Sequence, residues 1–462
     1  MRYHAAMDST QNGTETADGL YGKARYWAVA AIWLALMMAV VDSSIANVAL
    51  PAIARDLHAP AAQSIWIVNA YQLAIVISLL PLAALGEILT FRRVFLSGLL
   101  LFVLASIACC FARSVPELAL ARAVQGFGAA GVMSVNGALV RFIFPTSQLG
   151  RGVGLNALVN SIASVIGPSL ASAILAAATW PWLFAVNVPT GIAALLVGVF
   201  ALPSSPKSGG RLDRLSTLLN VAAYGLIFAG LDMLVRGPRL AGAAAMATGF
   251  LAGVLLVLRC MPQARPLIPI DLLRNRLFSL TIGTSIASFT AQMLAFVALP
   301  FFFQAVMHRS QVQTGLLITA WPLAVGVAAP IAGRLADRFS PGLLGGIGLA
   351  ALSLGLILLA SLSADATSAS ILWRMAICGA GFGFFQAPNN RTLLGSAPRA
   401  RAGAAGGMLA TARLTGQTTG AALAAALFAI SSHGPAFSLW LGAGMAGAGC
   451  LVSLLRGTGK AA

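Results

Sequence analysis

Apolar runs of about twenty residues recur from residue 27 to residue 455 of this 462-residue chain, and they limit its fold more than any other feature. A helix rising about 1.5 Å per residue needs roughly twenty apolar residues to cross the hydrocarbon layer of a bilayer. In lipid the backbone N–H and C=O groups must be satisfied within the segment, which makes helices of such runs. A soluble core helix explains an apolar run of roughly 10–14 residues, but not runs such as 94–112 repeated to the C-terminus. The charge content agrees: 9% of residues are charged, against roughly 25% in soluble domains. The expected fold is an all-α polytopic membrane protein.

Fourteen spans are read, at 27–50, 64–86, 94–112, 117–140, 152–178, 183–202, 215–235, 240–258, 278–303, 314–332, 343–362, 370–390, 402–430 and 436–455. Basic residues test this parse, because Lys and Arg collect in cytoplasmic loops. With the N-terminus inside, inner segments hold 21 of the 29 Lys and Arg, outer loops hold 5, and Arg122, Arg374 and Arg413 fall within spans. Merging two spans would invert every later loop and spoil the asymmetry. Both termini are therefore expected in the cytoplasm, with the chain multi-pass in the cytoplasmic (inner) membrane. The same tally explains the net charge of +17 as orientation, with some attraction to anionic lipid, and argues against nucleic acid as a partner.

Residues 1–26 are polar and expected to be a disordered cytoplasmic tail, without the pattern of a signal peptide. The five cysteines lie in or beside spans in no ligand-like spacing, and the four histidines sit in the tail or outer loops. No metal site, cofactor or enzyme activity is expected from this arrangement.

Two loops resemble each other: "ALGEILTFRRVF" (84–95) after the second span and "GRLADRFSPGLL" (333–344) after the tenth. Each sets a carboxylate near arginines, and they match in position if spans seven and eight are inserted between two six-span bundles. The expected organisation is thus a bundle at 27–202, a linker with two additional helices at 203–277, a second bundle at 278–456 and a tail at 457–462. Such duplication is typical of transporters that rock two halves about a central site. Glu87, Arg92, Gly333, Asp337 and Arg338 are candidates for conformational gating, the alternative being loop charge that only sets topology. Gly167-Pro168 joins them, because Pro168 cannot bond the carbonyl of Ser164 and the helix can bend there. Gly416 and Gly420, spaced as GxxxG, suit close helix packing.

Asp42 and Asp232 are the acids that fall clearly within apolar runs. A carboxylate there must be protonated or paired, since desolvation favours the neutral form and a nearby cation the charged one. Counted from their outer ends, Asp42 and Arg122 differ in depth by only about 5 Å at the helical rise. Arg122 does not lose its charge, so it can hold Asp42 ionised or release it to a proton. The alternative is a fixed ion pair that keeps two helices in register. Asp42, Arg122 and Asp232 are the proton-coupling candidates, although Asp232 lies nearer a span end. Tyr71, Gln72, Asn156, Asn160, Gln292 and Gln386 are candidate cavity residues, because polar side chains in membrane helices tend to face the interior.

Three stretches carry a family resemblance: "VDSSIANVALP" (41–51), "LARAVQGFGAAG" (120–131) and "WPWLFAVNVPTG" (180–191). In order and on the first, fourth and sixth spans, they resemble motifs of the major facilitator superfamily, in its fourteen-span branch of drug:proton antiporters of the EmrB/QacA type. The resemblance implies two six-helix bundles plus two extra central helices. It implies proton-coupled efflux of amphipathic drugs or toxic compounds, cationic ones included, across the cytoplasmic membrane by alternating access. Protons would be the coupling ion, and small molecules and the lipid bilayer the partners. In a double-membrane bacterium a periplasmic adaptor would be a further partner. The sequence departs from the family's loop motif: the first copy has Ala83, Glu87, Ile88 and Thr90 where Gly, Asp, Arg and Gly are usual, and Ser340 replaces the later glycine of the second. The fifth-span antiporter signature keeps Gly167-Pro168 but has Ala163, Ala171 and Ser172 for its other glycines. The competing expectation is a proton-coupled transporter of one specific metabolite on the same fold.

Overall fold

Hydrogen-bonding side chains mark where the helices start. Ser114, Asp213, Asn275, Ser310, Ser340 and Thr367 each accept an amide N–H at a helix start, satisfying donors with no partner inside the helix. The computed structural model describes residues 19–145, 148–205, 212–263, 266, 270–336, 338–363, 365–396 and 402–457, and every regular element among them is a helix. The first seven long helices are α1 (Gly22–Asp56), α2 (Trp66–Leu89), α3 (Phe91–Phe111), α4 (Val115–Ile143), α5 (Leu149–Ala177), α6 (Asn187–Ala201) and α7 (Arg214–Arg236). They continue as α8 (Arg239–Cys260), α9 (Arg276–Phe301), α10 (Gln311–Leu335), α11 (Pro341–Ala360), α12 (Ser368–Gly395), α13 (Ala402–Ile430) and α14 (Gly434–Gly457).

Twelve helices among the described residues are long and apolar enough to cross a membrane, so the chain is a multi-pass membrane protein. Of the fourteen long helices, α5 and α13 fall outside these twelve, so the expected fourteen spans are met in part; the described apolar stretch of α5 is Ile162–Ala177. Helix α13 is rich in Ala, Gly and Thr, with Arg413 and Gln417 among them, which lowers its hydropathy. Phe111, Leu120, Phe200, Leu240, Phe250 and Leu251 are exposed on the outside of the bundle, as lipid contact requires. The structure differs from the expected tail at its inner end. Residues 22–26 are helical, and Arg25 is held by the Gln148 side chain at 2.8 Å. Residues 1–18 and 458–462 lie outside the described residues.

The helices pack as two six-helix units with matching neighbours. In the first, α1 packs on α5 and α6, and α4 on α2 and α3; in the second, α9 packs on α13 and α14, and α12 on α10 and α11. The glycine contacts repeat as well. A Cβ on Gly126 of α4 would lie 2.5 Å from the Tyr71 carbonyl oxygen of α2, and one on Gly379 of α12 would lie 2.2 Å from that of Trp321 in α10. Both contacts are too close for any side chain, so backbone meets backbone at equivalent crossings. The sequence duplication is therefore present in the packing.

Helices α7 and α8 form a hairpin outside both units. It docks at the seam between α2 and α13, where Asn220 donates to the Ile77 carbonyl at 2.8 Å and the Tyr224 and Thr415 hydroxyls meet at 2.9 Å. At the seam between α5 and α10, Ser169 and Thr319 meet at 3.0 Å and Ser172 donates to the Gln311 carbonyl at 3.2 Å. Those contacts lie toward the face where α1 ends. There one hydrophobic core runs through both units, including Ile45, Phe184, Phe303 and Trp321. Toward the face where α1 begins the units have separate cores, one around Phe95, Phe102 and Leu139, reached by Leu414 from α13, and one around Phe278 and Leu393. One core thus spans both units at the first face, and largely separate clusters serve them at the second.

Candidate functional site

A cavity of about 170 Å³ lies between the two units. The first unit supplies Ser43, Ser44 and Asn47 of α1, Tyr71 and Gln72 of α2, and Asn160, Ser164 and Pro168 of α5. From the second come Phe289, Gln292 and Phe296 of α9, Trp321 of α10, Phe382 and Gln386 of α12, and Arg413 and Gln417 of α13. Aromatic edges meet faces around it: Phe296 packs on Trp321 at 5.1 Å and Phe289 on Phe382 at 5.3 Å. Five expected cavity residues therefore share one wall system: Tyr71, Gln72, Asn160, Gln292 and Gln386.

The sixth, Asn156, is elsewhere. Its carbonyl accepts the Asn136 amide at 3.1 Å, a link between α4 and α5 that reads as helix packing. Asn47, Arg413, Gln417 and the four aromatics also line the cavity but were not among the expected residues. Their helix types were legible, but which way each helix turns is set by packing.

Behind Tyr71 sits the ion pair. Arg122 donates to the Asp42 carboxylate, and both side chains are sealed, at 0% and 1% exposure. Asp42 also accepts from Asn187 of α6 at 2.6 Å and from Gln125 of α4 at 3.1 Å. Gln125 in turn donates to Ser106 of α3 at 2.8 Å, so four helices converge on one carboxylate. The Tyr71 ring lies 4.0 Å over the Arg122 guanidinium, a cation–π contact, while the same residue lines the cavity. One Arg122 nitrogen, Nη2, is buried without a hydrogen-bond partner. Ser43, next in the chain to Asp42, faces the cavity and takes a hydrogen bond from Gln72 at 3.3 Å. The carboxylate thus adjoins the cavity without opening into it.

The remaining expected residues are dispersed. Asp232 accepts the indole N–H of Trp66 at 3.0 Å beside a separate small cleft between α2, α7 and α13, and is not brought to Asp42 and Arg122. Glu87 is exposed, and no ion pair joins it to Arg92, which donates instead to the Val199 carbonyl at the end of α6. Arg338 is exposed, Gly333 lies in α10 with open space beside it, and Asp337 lies outside the described residues. Helix α5 continues through Gly167-Pro168. A Cβ on Gly167 would lie 2.4 Å from that of Ser44, so this glycine lets α5 close on α1. Among the described residues, no group of three or more His, Cys, Asp and Glu side chains gathers as a metal would require. Nor does any Asp or Glu line the cavity among them.

Comparison with known proteins places these features. A profile described as "Major Facilitator Superfamily" matches residues 32–421. The chain is 48% identical over 444 residues to the uncharacterized transporter YebQ of Escherichia coli, covering 95% of this chain and 97% of that one. It is 30% identical to the multidrug resistance protein Stp of Mycobacterium tuberculosis, over 86% of this chain and 74% of Stp. It is 28% identical to the riboflavin transporter RibZ of Clostridioides difficile, over 87% of each. Among solved structures, a POT family transporter in complex with a thioalcohol-conjugated peptide superposes with a TM-score of 0.69 at 12% identity, covering 92% of this chain and 95% of that one.

Proposed function

The chain belongs to the major facilitator superfamily, a family of transporters rather than enzymes, and on that premise we propose that it is a proton-coupled exporter of amphipathic small molecules. The observation that carries the reading is the Asp42–Arg122 pair, buried one residue from the cavity wall. An ionised Asp42 accepts from Arg122, Gln125 and Asn187. Protonation removes the charge that holds the Arg122 guanidinium and spends one of the carboxylate's roughly four acceptor sites on its own O–H, so the charge-assisted bonds from Arg122, Gln125 and Asn187 weaken. Breaking a buried pair of this kind costs about 3–5 kcal/mol, enough to move a two-state balance by two orders of magnitude or more, at about 1.4 kcal/mol per tenfold. The proton would thereby alter how α1 packs against α4 and α6. Because α1 also forms cavity wall at Ser43, Ser44 and Asn47, the change reaches the place where substrate would sit.

In this reading α5 and α13 complete fourteen spans, both termini are cytoplasmic, and the chain sits in the cytoplasmic membrane. The cavity then opens inward and the Ser169–Thr319 seam closes the outer side. The Glu87 and Asp337 loops would act in switching between states rather than in recognition, and Asp232 would secure the α7–α8 hairpin. Support for export comes from distant relatives: Stp, named as a multidrug resistance protein, and LfrA of Mycolicibacterium smegmatis, named as a multidrug efflux pump and 29% identical. RibZ, named for riboflavin, supports the second reading, a transporter of one metabolite. Efflux of a substrate panel from cells lacking other pumps, with and without a protonophore, tests both. Export of several unrelated amphipaths that stops with the protonophore is expected; movement of one compound alone supports the second reading, and no movement rejects both.

A further inference from the structure

Arg413 stands apart from the other arginines inside the helices. Arg122 has Asp42, Arg374 donates to the Ser370 carbonyl at 2.7 Å, and Arg456 donates to Asn389 at 2.7 Å and Ser453 at 2.6 Å. Arg413 makes no hydrogen bond or ion pair among the described residues, and its Nε is buried without a partner. It lies near the middle of α13, so the short reach that lets a terminal arginine extend to water is not available. The same cavity is lined by the glutamines Gln386 and Gln417 and by the aromatic rings of Phe289, Phe382 and Trp321. Asp42, the acid behind Tyr71, is already committed to Arg122, Gln125 and Asn187.

A desolvated guanidinium with free donors and no protein anion is costly unless something else supplies the acceptor. The planar fork matches a carboxylate or sulfonate with two parallel hydrogen bonds. The rings that line the cavity offer faces and edges to a flat apolar body, and its volume of about 170 Å³ exceeds the roughly 150 Å³ that accommodates benzene. We propose that this cavity binds its substrate by an anionic group, a carboxylate or sulfonate on a compact aromatic body, with Arg413 as the counter-ion. The proposal rests on the reading of this cavity as the transport site and names its substrate class.

The test uses the purified full chain in nanodiscs of zwitterionic lipid, so that no anionic headgroup competes. Thermal stabilisation and titration calorimetry are measured with three ligands sharing one ring system: 2-naphthoate, 2-naphthamide and 2-naphthylmethylammonium. Naphthoate is expected to bind about tenfold or more tighter than the other two, the fold-change carried by a charge-assisted hydrogen bond. Arg413→Gln should remove that preference and Arg413→Lys should keep part of it. The wild-type comparison alone is decisive if a variant fails to fold. Equal or tighter binding of the ammonium overturns the proposal, as does no naphthoate binding at millimolar concentration or a preference that survives Arg413→Gln. Binding needs no gradient, so an absence of protonophore-sensitive efflux would reject the export reading without altering this result.

Discussion

Replacing Asn187 by leucine isolates one donor of the Asp42 network. The side chains share one branched arrangement of four heavy atoms, so the site stays filled while the 2.6 Å hydrogen bond from Asn187 to the carboxylate is lost. A hydrogen bond to a charged group contributes about 1.5–3 kcal/mol, and one pH unit corresponds to about 1.4 kcal/mol. Arg122 and Gln125 still donate to Asp42, so the lower half of that range applies. The sign follows from which form gains from the bond. Asn187 donates to the ionised carboxylate, so losing the bond raises the free energy of the ionised form and leaves the protonated form less affected. The pH dependence of gradient-driven transport in proteoliposomes should therefore move alkaline by about one unit. Size-exclusion chromatography and thermal melting establish that the variant is folded. A folded Asn187→Leu protein with an unchanged or acid-shifted profile would refute the assignment of Asp42 as the titrating group.

Two other predictions concern the seam and the hairpin. With the five native cysteines replaced, Ser169→Cys together with Thr319→Cys should cross-link on oxidation, because their hydroxyls meet at 3.0 Å. Transport should stop and return on reduction; normal transport by the cross-linked protein would exclude alternating access through this seam. Asp213, at the open end of the α7–α8 hairpin, is partly buried, which pushes its carboxyl up, but hydrogen bonds from Ser216, Arg259 and Gln263 outweigh this and hold it below the usual range. That stabilisation is present in full above about pH 4, the ordinary carboxylate range, and is lost as pH falls below it. Asp213→Asn should lower the melting temperature near neutral pH, with the gap to wild type closing in acid; a gap that persists in acid would contradict the argument.

The long helices were legible because a run of apolar residues long enough to cross a bilayer leaves few alternatives. Short elements were not: the single-turn helices Ala61–Ser64 and Trp182–Ala185 lie in the loops before α2 and α6, and the π-helix Phe302–Val306 follows Pro300, whose missing N–H breaks the regular pattern of α9. In the site, Asp42 and Arg122 could be paired by counting depth from the helix ends, since the rise per residue is fixed. Ser106 could not be placed behind Gln125, nor Asn187 on Asp42, because the rotation of a helix depends on its neighbours. Asn156 and Asn160 show the same limit within one helix: four residues apart on α5, one bonds α4 and the other lines the cavity. Depth is written in the sequence, and facing is written in the packing.

The central claim is that Asp42 takes up and releases the proton that drives transport. Its most direct test is Asp42→Asn, which keeps shape but cannot titrate, reconstituted in liposomes with an imposed pH gradient and a substrate identified by the efflux panel. The folded variant should still bind substrate and exchange it down its own gradient, but should not accumulate it against that gradient when the pH gradient is applied. Uphill accumulation by Asp42→Asn at the wild-type level would contradict the account and leave the Asp42–Arg122 pair as a structural tie between α1 and α4.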